Sequence, residues 1–142
     1  MTRVLVTGGP CAGKTTALAA IKQDLTQLGY KVLVVPEAAT LIMKGGAMIV
    51  SSSFTPQQGL IFQKGLMRLQ IALEESFLDI GCMVQDQPVV ILIDRGLLDG
   101  SAYVTRMEWE AIMDDLKMNL VALRDNRYDA VLHMVTAADG AP

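Results

Sequence analysis

The feature that most constrains the fold is a glycine-rich stretch near the start of the sequence, Gly8–Thr15, which reads Gly-Gly-Pro-Cys-Ala-Gly-Lys-Thr. The apolar run before it, Arg3–Thr7, is typical of a buried strand, and the residues from Thr15 to Leu28 predict a helix that stops at Gly29. Gly8, followed after four residues by Gly13-Lys14-Thr15 and placed between a strand and a helix, gives the Walker A pattern of a phosphate-binding loop. A chance glycine-rich turn does not explain that placement.

Each residue type in this loop has a physical role. Glycines let the backbone turn sharply and direct N–H groups at phosphate oxygens, and the start of the helix adds its positive end. Lys14 suits the β- and γ-phosphates, and the Thr15 hydroxyl suits Mg²⁺. We therefore predict that ATP or GTP binds here with Mg²⁺. The predicted nucleotide-binding residues are Gly8, Gly9, Pro10, Cys11, Ala12, Gly13, Lys14, Thr15 and Thr16.

Composition limits the other classes of function. The 142 residues fit one domain, residues 1–142, and with 51% hydrophobic residues the chain can bury a core. A net charge of -3 lacks the basic footprint of a nucleic-acid binder. We expect neither a signal peptide nor a transmembrane segment, because no apolar run approaches the ~20 residues that span a bilayer. The two cysteines, Cys11 and Cys82, are far apart, which argues against a disulfide framework or a zinc site and suits the cytoplasm.

Apolar runs alternate with helical segments along the chain. Further strands are predicted at Lys31–Val35, Val89–Ile93 and Ala130–Val135, and helices are predicted after Glu37, from Pro56 to Ile80, at Leu97–Tyr103 and at Trp109–Leu123. Thr55 and Gln58 form a capping box that starts the long helix. Strands that are apolar on both faces and separated by helices predict an α/β fold, a parallel sheet with helices on both faces. Because such sheets usually have at least about five strands, we expect the last core strand to be missing and the domain to be incomplete at its C-terminal end.

Polar residues follow two of the predicted strands. Asp94 and Arg95 end the third strand and Glu37 follows the second, so all three belong to the crevice at the carboxyl edge of the sheet. Asp94 is the candidate magnesium ligand of Walker B type, and its alternative role is a helix N-cap. Glu37 suits a base that accepts a substrate proton, and Arg95 suits stabilisation of the transferred phosphoryl group. A structural ion pair between Glu37 and Arg95 is an equal and compatible interpretation.

Two further polar residues are open to more than one interpretation. Gln63 follows Phe62 in an apolar stretch, where its amide suits contact with an acceptor, and a solvated helix face is the alternative. His133 lies in the predicted fourth strand, and we expect it to be a core residue with its hydrogen bonds satisfied.

The order of the later motifs resembles a known family. The motifs are Thr7–Thr16, Val35–Thr40, Phe62-Gln63, Asp94–Gly96, Asp99-Gly100, Ala102-Tyr103, Leu123–Asp129 and His133–Ala141. Together they resemble the N-terminal domain of the TRPL translocation defect protein family, a P-loop domain of the NadR and AAA kinase-like type. The resemblance extends over essentially all 142 residues. Walker A alone is generic, and the ordered set is far more specific.

The resemblance implies a kinase-like P-loop fold with strand order 2-3-1-4-5. It also implies that Glu37 is the base, that Asp94 and Arg95 act at the phosphates, and that Gln63 and Tyr103 contact the substrate. The family continues into an arginine-bearing lid, a fifth strand and a second domain. We therefore expect residues 1–142 alone to bind phosphate and to catalyse slowly.

Three functions follow from these residues. The first is Mg²⁺-dependent phosphoryl transfer from ATP or GTP to a small hydroxyl-bearing acceptor, with Lys14, Glu37, Asp94 and Arg95 as catalytic residues. The second is a nucleotide-dependent binding or switch module that acts on a protein or membrane-lipid partner. The third is a simple NTPase, in which water takes the place of the acceptor. The sequence contains no guanine-reading Asn/Thr-Lys-x-Asp motif, which weakens a Ras-like switch without excluding GTP.

Overall fold

The computed structural model describes residues 1–8, 13–47, 54–97, 104–119 and 127–135. The described elements are β1 (Thr2–Gly8), α1 (Lys14–Gln27), β2 (Lys31–Val35), α2 (Ala38–Lys44), α3 (Pro56–Cys82), β3 (Val89–Asp94), α4 (Arg106–Asp115) and β4 (Ala130–Met134). Strands and helices therefore alternate as the sequence predicted. Residues 98–103, which carry most of the predicted Leu97–Tyr103 helix, lie outside the described residues.

The four described strands form one parallel sheet in the order β2-β3-β1-β4. β3 lies between β2 and β1, and each residue from Val89 to Ile93 is at most 6% exposed. Burial on both faces explains why β3 is apolar without alternation. The observed order agrees with the first four positions of the order implied by the family resemblance, and the predicted α/β class is confirmed.

Helices cover the two faces of the sheet. On one face, Leu18 of α1 packs in a cluster with alternate strand residues that include Val6 and Leu92. On the other face, Leu73 and Phe77 of α3 pack against a second cluster of strand residues: Leu5, Val35, Val89, Ile91 and Ile93. Because neighbouring residues of a strand point to opposite faces, the two clusters divide β1, β2 and β3 between them. The result is the predicted three-layer arrangement.

Local hydrogen bonds determine where the two capped helices begin. In α3, the Thr55 hydroxyl accepts a hydrogen bond from the Gln58 amide and the Gln58 side chain accepts one from the Thr55 amide, which confirms the predicted capping box. α4 has an equivalent box between Thr105 and Glu108, so it begins at Arg106, three residues before the predicted start at Trp109.

The predicted end of α4 at Leu123 is wrong, because the helix stops at Asp115. Lys117 takes a left-handed conformation with φ of 54°, and a helix cannot continue through such a residue. The amide of Met118 instead donates to the carbonyl of Met113, which is a frequent way to satisfy the last carbonyls of a helix.

β4 differs from the other strands because most of it is exposed. Val131 and Leu132 are 53% and 44% exposed, and His133 is exposed as well. The prediction of His133 as a core residue is wrong, since among the described strands β4 has a neighbour, β1, on one side only. Within the described ranges, no helix combines the length and the apolar character needed to cross a membrane.

Candidate active site

Two glycines with unusual backbone angles frame the phosphate loop. Gly8 ends β1 with φ of 150°, and a Cβ added there would lie 2.5 Å from the carbonyl oxygen of Met134 in β4. Gly13 is the N-cap of α1 in the left-handed conformation, with φ of 77° and ψ of 22°. Side chains at either position are disfavoured, the first by a clash with backbone and the second by its φ. Gly9, Pro10, Cys11 and Ala12 lie outside the described residues.

Lys14 is the first residue of α1, and its side chain is only 11% exposed. Its Nζ lies 3.8 Å from Oδ1 of Asp94, the last residue of β3, whose side chain is 19% exposed. The lysine of the phosphate loop and the predicted magnesium ligand thus face each other. The first turn of α1 begins at Lys14, and the free amides of a first helical turn attract anions.

A second ion pair lies beside the first. Arg95 Nε is 3.3 Å from Glu37 Oε1, and both side chains are roughly one-fifth exposed, at 23% and 22%. Glu37 reaches this position as the N-cap residue of α2, directly after β2 and Pro36. The ion pair that the sequence offered as one interpretation of these residues is therefore present.

Arg95 has an unusual backbone conformation. Its φ is 65°, in the left-handed region where residues other than glycine are uncommon. Its amide donates to the carbonyl of Val6 in β1 at 3.0 Å. Left-handed residues of this kind cost of order 1 kcal/mol or more and persist where the surrounding structure imposes them. The strained residue is the one that carries the guanidinium toward Glu37.

The parallel register explains why these residues meet. Val6 is opposite Asp94 and Val35 is opposite Ile93, so β1, β2 and β3 end at nearly the same level. Residues at or just after the carboxyl ends of parallel strands converge on one crevice. The structure thus pairs Lys14 with Asp94 and Arg95 with Glu37 at this edge of the sheet. That these four residues are catalytic stays a prediction.

The residues proposed for magnesium provide one carboxylate and one hydroxyl. Asp94 supplies the carboxylate, and Thr15, like Thr16, is exposed in the first turn of α1 beside Lys14. Mg²⁺ usually takes one or two protein oxygens and completes its octahedral shell with phosphate and water oxygens. The donor set therefore fits a magnesium ion that arrives with a nucleotide.

The two residues proposed to contact substrate differ in what the structure says of them. Gln63 is half-buried in the first part of α3. It is separated from Gln70 by seven residues, or two helical turns, and so shares the inward face of α3 with Met67 and Gln70, which are 3% and 5% exposed. Tyr103 lies outside the described residues.

Sequence reasoning assigned no role to a buried acid below the site, Glu74. Its carboxylate accepts hydrogen bonds from Gln70 at 2.8 Å, from Tyr128 at 2.9 Å and from Arg127 at 2.6 Å. Burial next to that carboxylate raises the pKa of the Tyr128 hydroxyl well above its usual range. The available signal was the spacing of four residues between Gln70 and Glu74, which puts both on one face of the helix.

Comparisons with known proteins show the family of this chain. Among solved structures, the chain is similar to deoxyadenosine kinase from M. mycoides with bound dATP, at 19% sequence identity and a TM-score of 0.44. The alignment covers 93% of this chain, which spans 64% of the length of that kinase. No curated protein matches the chain. Residues 3–141 match the family model of an AAA domain, AAA_28, and because this match includes nearly the whole sequence, the chain belongs to that AAA domain family.

Proposed function

We propose that this AAA domain is a Mg²⁺-dependent phosphotransferase that moves the γ-phosphoryl group of ATP or GTP to a small hydroxyl-bearing acceptor. The observation that carries the proposal is the Glu37–Arg95 ion pair, at 3.3 Å, beside the Lys14–Asp94 pair, at 3.8 Å. A P-loop that only bound nucleotide would need Lys14 and Asp94. A second carboxylate and a second cation at the same crevice provide the groups that transfer to an acceptor requires, a proton acceptor and a stabiliser of the transferred phosphoryl group.

Three of the four residues act on the phosphates or on the acceptor in the proposed reaction. Lys14 and the first amides of α1 bind the β- and γ-phosphates. The acceptor hydroxyl gives its proton to Glu37 as its oxygen bonds to the γ-phosphorus, and the bond from that phosphorus to the bridging oxygen breaks, which releases the nucleoside diphosphate. The Arg95 guanidinium faces the charge that spreads over the transferred group.

Magnesium would neutralise part of the phosphate charge when it is bound with the nucleotide, and Asp94 and Thr15 are the residues that would hold it. The Lys14–Asp94 distance supports this assignment. At 3.8 Å the two charges are close enough to attract and too far apart for a direct hydrogen bond. A triphosphate that enters between them can replace Asp94 as the partner of Lys14, and the carboxylate is then available to the metal.

The test is transfer of radiolabelled γ-phosphate from ATP and from GTP to a panel of nucleosides, after a thermal-shift screen has identified which pairs bind. Glu37→Gln keeps the size of the side chain and removes the proton acceptor. We expect it to lower transfer about 100-fold or more while nucleotide affinity stays within about threefold. Glu75→Gln is the matched control, because Glu75 is an exposed acid of α3. Equal transfer by Glu37→Gln and wild-type protein would show that Glu37 is not the base.

The same assay separates the two other functions. Release of inorganic phosphate without an acceptor, lost in Glu37→Gln, would indicate a simple NTPase in which water occupies the acceptor position. Tight nucleotide binding without turnover would indicate a switch module that acts on a protein or phospholipid partner, as the resemblance to the TRPL translocation defect family suggests. A cytoplasmic location, expected from the two widely separated cysteines, is part of the same proposal.

A further inference from the structure

A buried hydrogen-bond network lies directly below the turn that carries Asp94 and Arg95. Its centre is Glu74 of α3, whose side chain is 7% exposed. Around it are Gln70, one helical turn earlier, and Arg127 and Tyr128, which precede β4. We call these four residues the Glu74 network. A buried carboxylate is costly unless it is hydrogen-bonded, and here it accepts three hydrogen bonds.

The network touches the turn through Tyr128. Its hydroxyl donates to Glu74 and accepts a long hydrogen bond, 3.5 Å, from the amide of Leu97. The turn is packed tightly at the preceding residue, because a Cβ added to Gly96 would lie 3.3 Å from the Tyr128 oxygen and 2.8 Å from Leu5 Cδ2. The residues after Arg95 therefore lie in a space bounded by Leu5 and Tyr128.

The turn is also held at Arg95 itself. The Arg95 amide donates to Val6 of β1 at 3.0 Å, and Arg95 itself has φ of 65°. A single residue in a disfavoured conformation is thus held by the contact of its own amide to β1 and by the contact of the Leu97 amide, two residues later, to Tyr128. Contacts of this kind keep a strained residue in place.

We propose that Tyr128, oriented by Glu74, is a positioning residue that fixes the turn after β3 and so aims Asp94 and Arg95 into the crevice. Because Tyr128 donates its hydroxyl proton to Glu74, the hydroxyl oxygen presents a lone pair to the Leu97 amide. The network also ties α3 to the turn, and α3 carries Gln63 on the same face. The expected effect of Tyr128 on phosphoryl transfer rests on the proposed phosphotransferase function, whereas its expected effect on the turn after β3 does not.

The test compares Tyr128→Phe and Glu74→Gln with wild-type protein by two measurements. The first is amide hydrogen exchange at Arg95, Gly96 and Leu97, which reports the turn without requiring activity. The second is steady-state phosphoryl transfer, measured well below the melting temperature of each variant. Tyr30→Phe is the matched control, because Tyr30 packs in the cluster on the α1 face of the sheet and loses the same hydroxyl group.

We expect exchange at Leu97 and its two neighbours to become about three to ten times faster in Tyr128→Phe, the factor for loss of one ordinary hydrogen bond. We expect kcat to fall by about tenfold with KM for the nucleotide within about twofold, because Lys14 and its loop remain in place. Tyr30→Phe should change neither the amide exchange of the turn nor kcat. Should Glu74→Gln fail to fold, Tyr128→Phe alone decides the matter.

Unchanged exchange at the turn, or a uniform increase over the whole chain, would overturn the positioning role. So would an unchanged kcat in a Tyr128→Phe protein whose parent is active. If wild-type protein transfers no phosphate to any acceptor, the proposed function fails, and the exchange comparison still decides whether Tyr128 holds the turn.

Discussion

Lys14 Nζ lies 3.8 Å from Asp94 Oδ1, so the lysine of the phosphate loop and the acid at the end of β3 form a pair across the crevice. Both side chains are mostly buried, at 11% and 19% exposed, which limits solvent screening of the charges. Each charge is complementary to a component of a magnesium nucleotide, the lysine to the phosphates and the carboxylate to the metal. Under the proposed function, a magnesium nucleotide would enter this pair and replace each side chain as the partner of the other.

A first prediction concerns the metal. Asp94→Asn preserves size and removes the charge, so the affinity for ATP should depend less on Mg²⁺ than it does in wild-type protein. The measurement is calorimetric titration of ATP with magnesium and with a chelator. Asp86→Asn, at an exposed position before β3, should retain the full magnesium dependence. An Asp94→Asn protein with undiminished magnesium dependence would return Asp94 to a structural role.

A second prediction concerns the backbone of Arg95. Both Arg95→Gly and Arg95→Ala lose the guanidinium that pairs with Glu37, but only glycine relieves the left-handed conformation at φ of 65°. We expect Arg95→Gly to be more stable than Arg95→Ala by about 1 kcal/mol, measured by urea unfolding. At Arg106, the exposed first residue of α4, the order should reverse, since glycine is disfavoured in helices. Equal stability of the two Arg95 variants would show that the residue is not strained.

A third prediction concerns alkaline pH. Burial and the neighbouring Glu74 raise the pKa of Tyr128 above its ordinary value, about 10. The folded protein then keeps a proton that the unfolded chain releases, so the free energy of unfolding is unaffected below about pH 10 and falls as the pH rises above it. In Tyr128→Phe this part of the decline should disappear. The free energy of unfolding, measured between about pH 9 and 11, tests this. Tyr30→Phe is the control, and it should show the same decline as wild-type protein.

Local chemistry accounts for what the sequence predicted correctly. The bounds of β2, Lys31–Val35, follow from an uninterrupted apolar run, and the start of α3 follows from the Thr55 capping box, which acts within four residues. The convergence of Glu37, Asp94 and Arg95 was predictable because parallel strands end at one edge of a sheet.

Contacts between distant parts of the chain account for what the sequence did not predict. Glu74 and Arg127 are 53 residues apart in sequence, and no local pattern pairs them. α4 ends at Asp115 without a glycine signal, where Leu116 and Met118 pack against the cluster of Trp109. Tertiary packing of that kind overrides helix propensity.

The measurement that tests the central claim most directly is calorimetric titration of MgATP into wild-type, Lys14→Ala and Lys22→Ala proteins. Lys22 is exposed further along α1, so its substitution removes the same charge from the same helix. We predict wild-type affinity for Lys22→Ala and a loss of about 100-fold or more for Lys14→Ala, with both variants folded. Equal affinity of Lys14→Ala and wild-type protein for MgATP would contradict the assignment of this crevice as a nucleotide phosphate site.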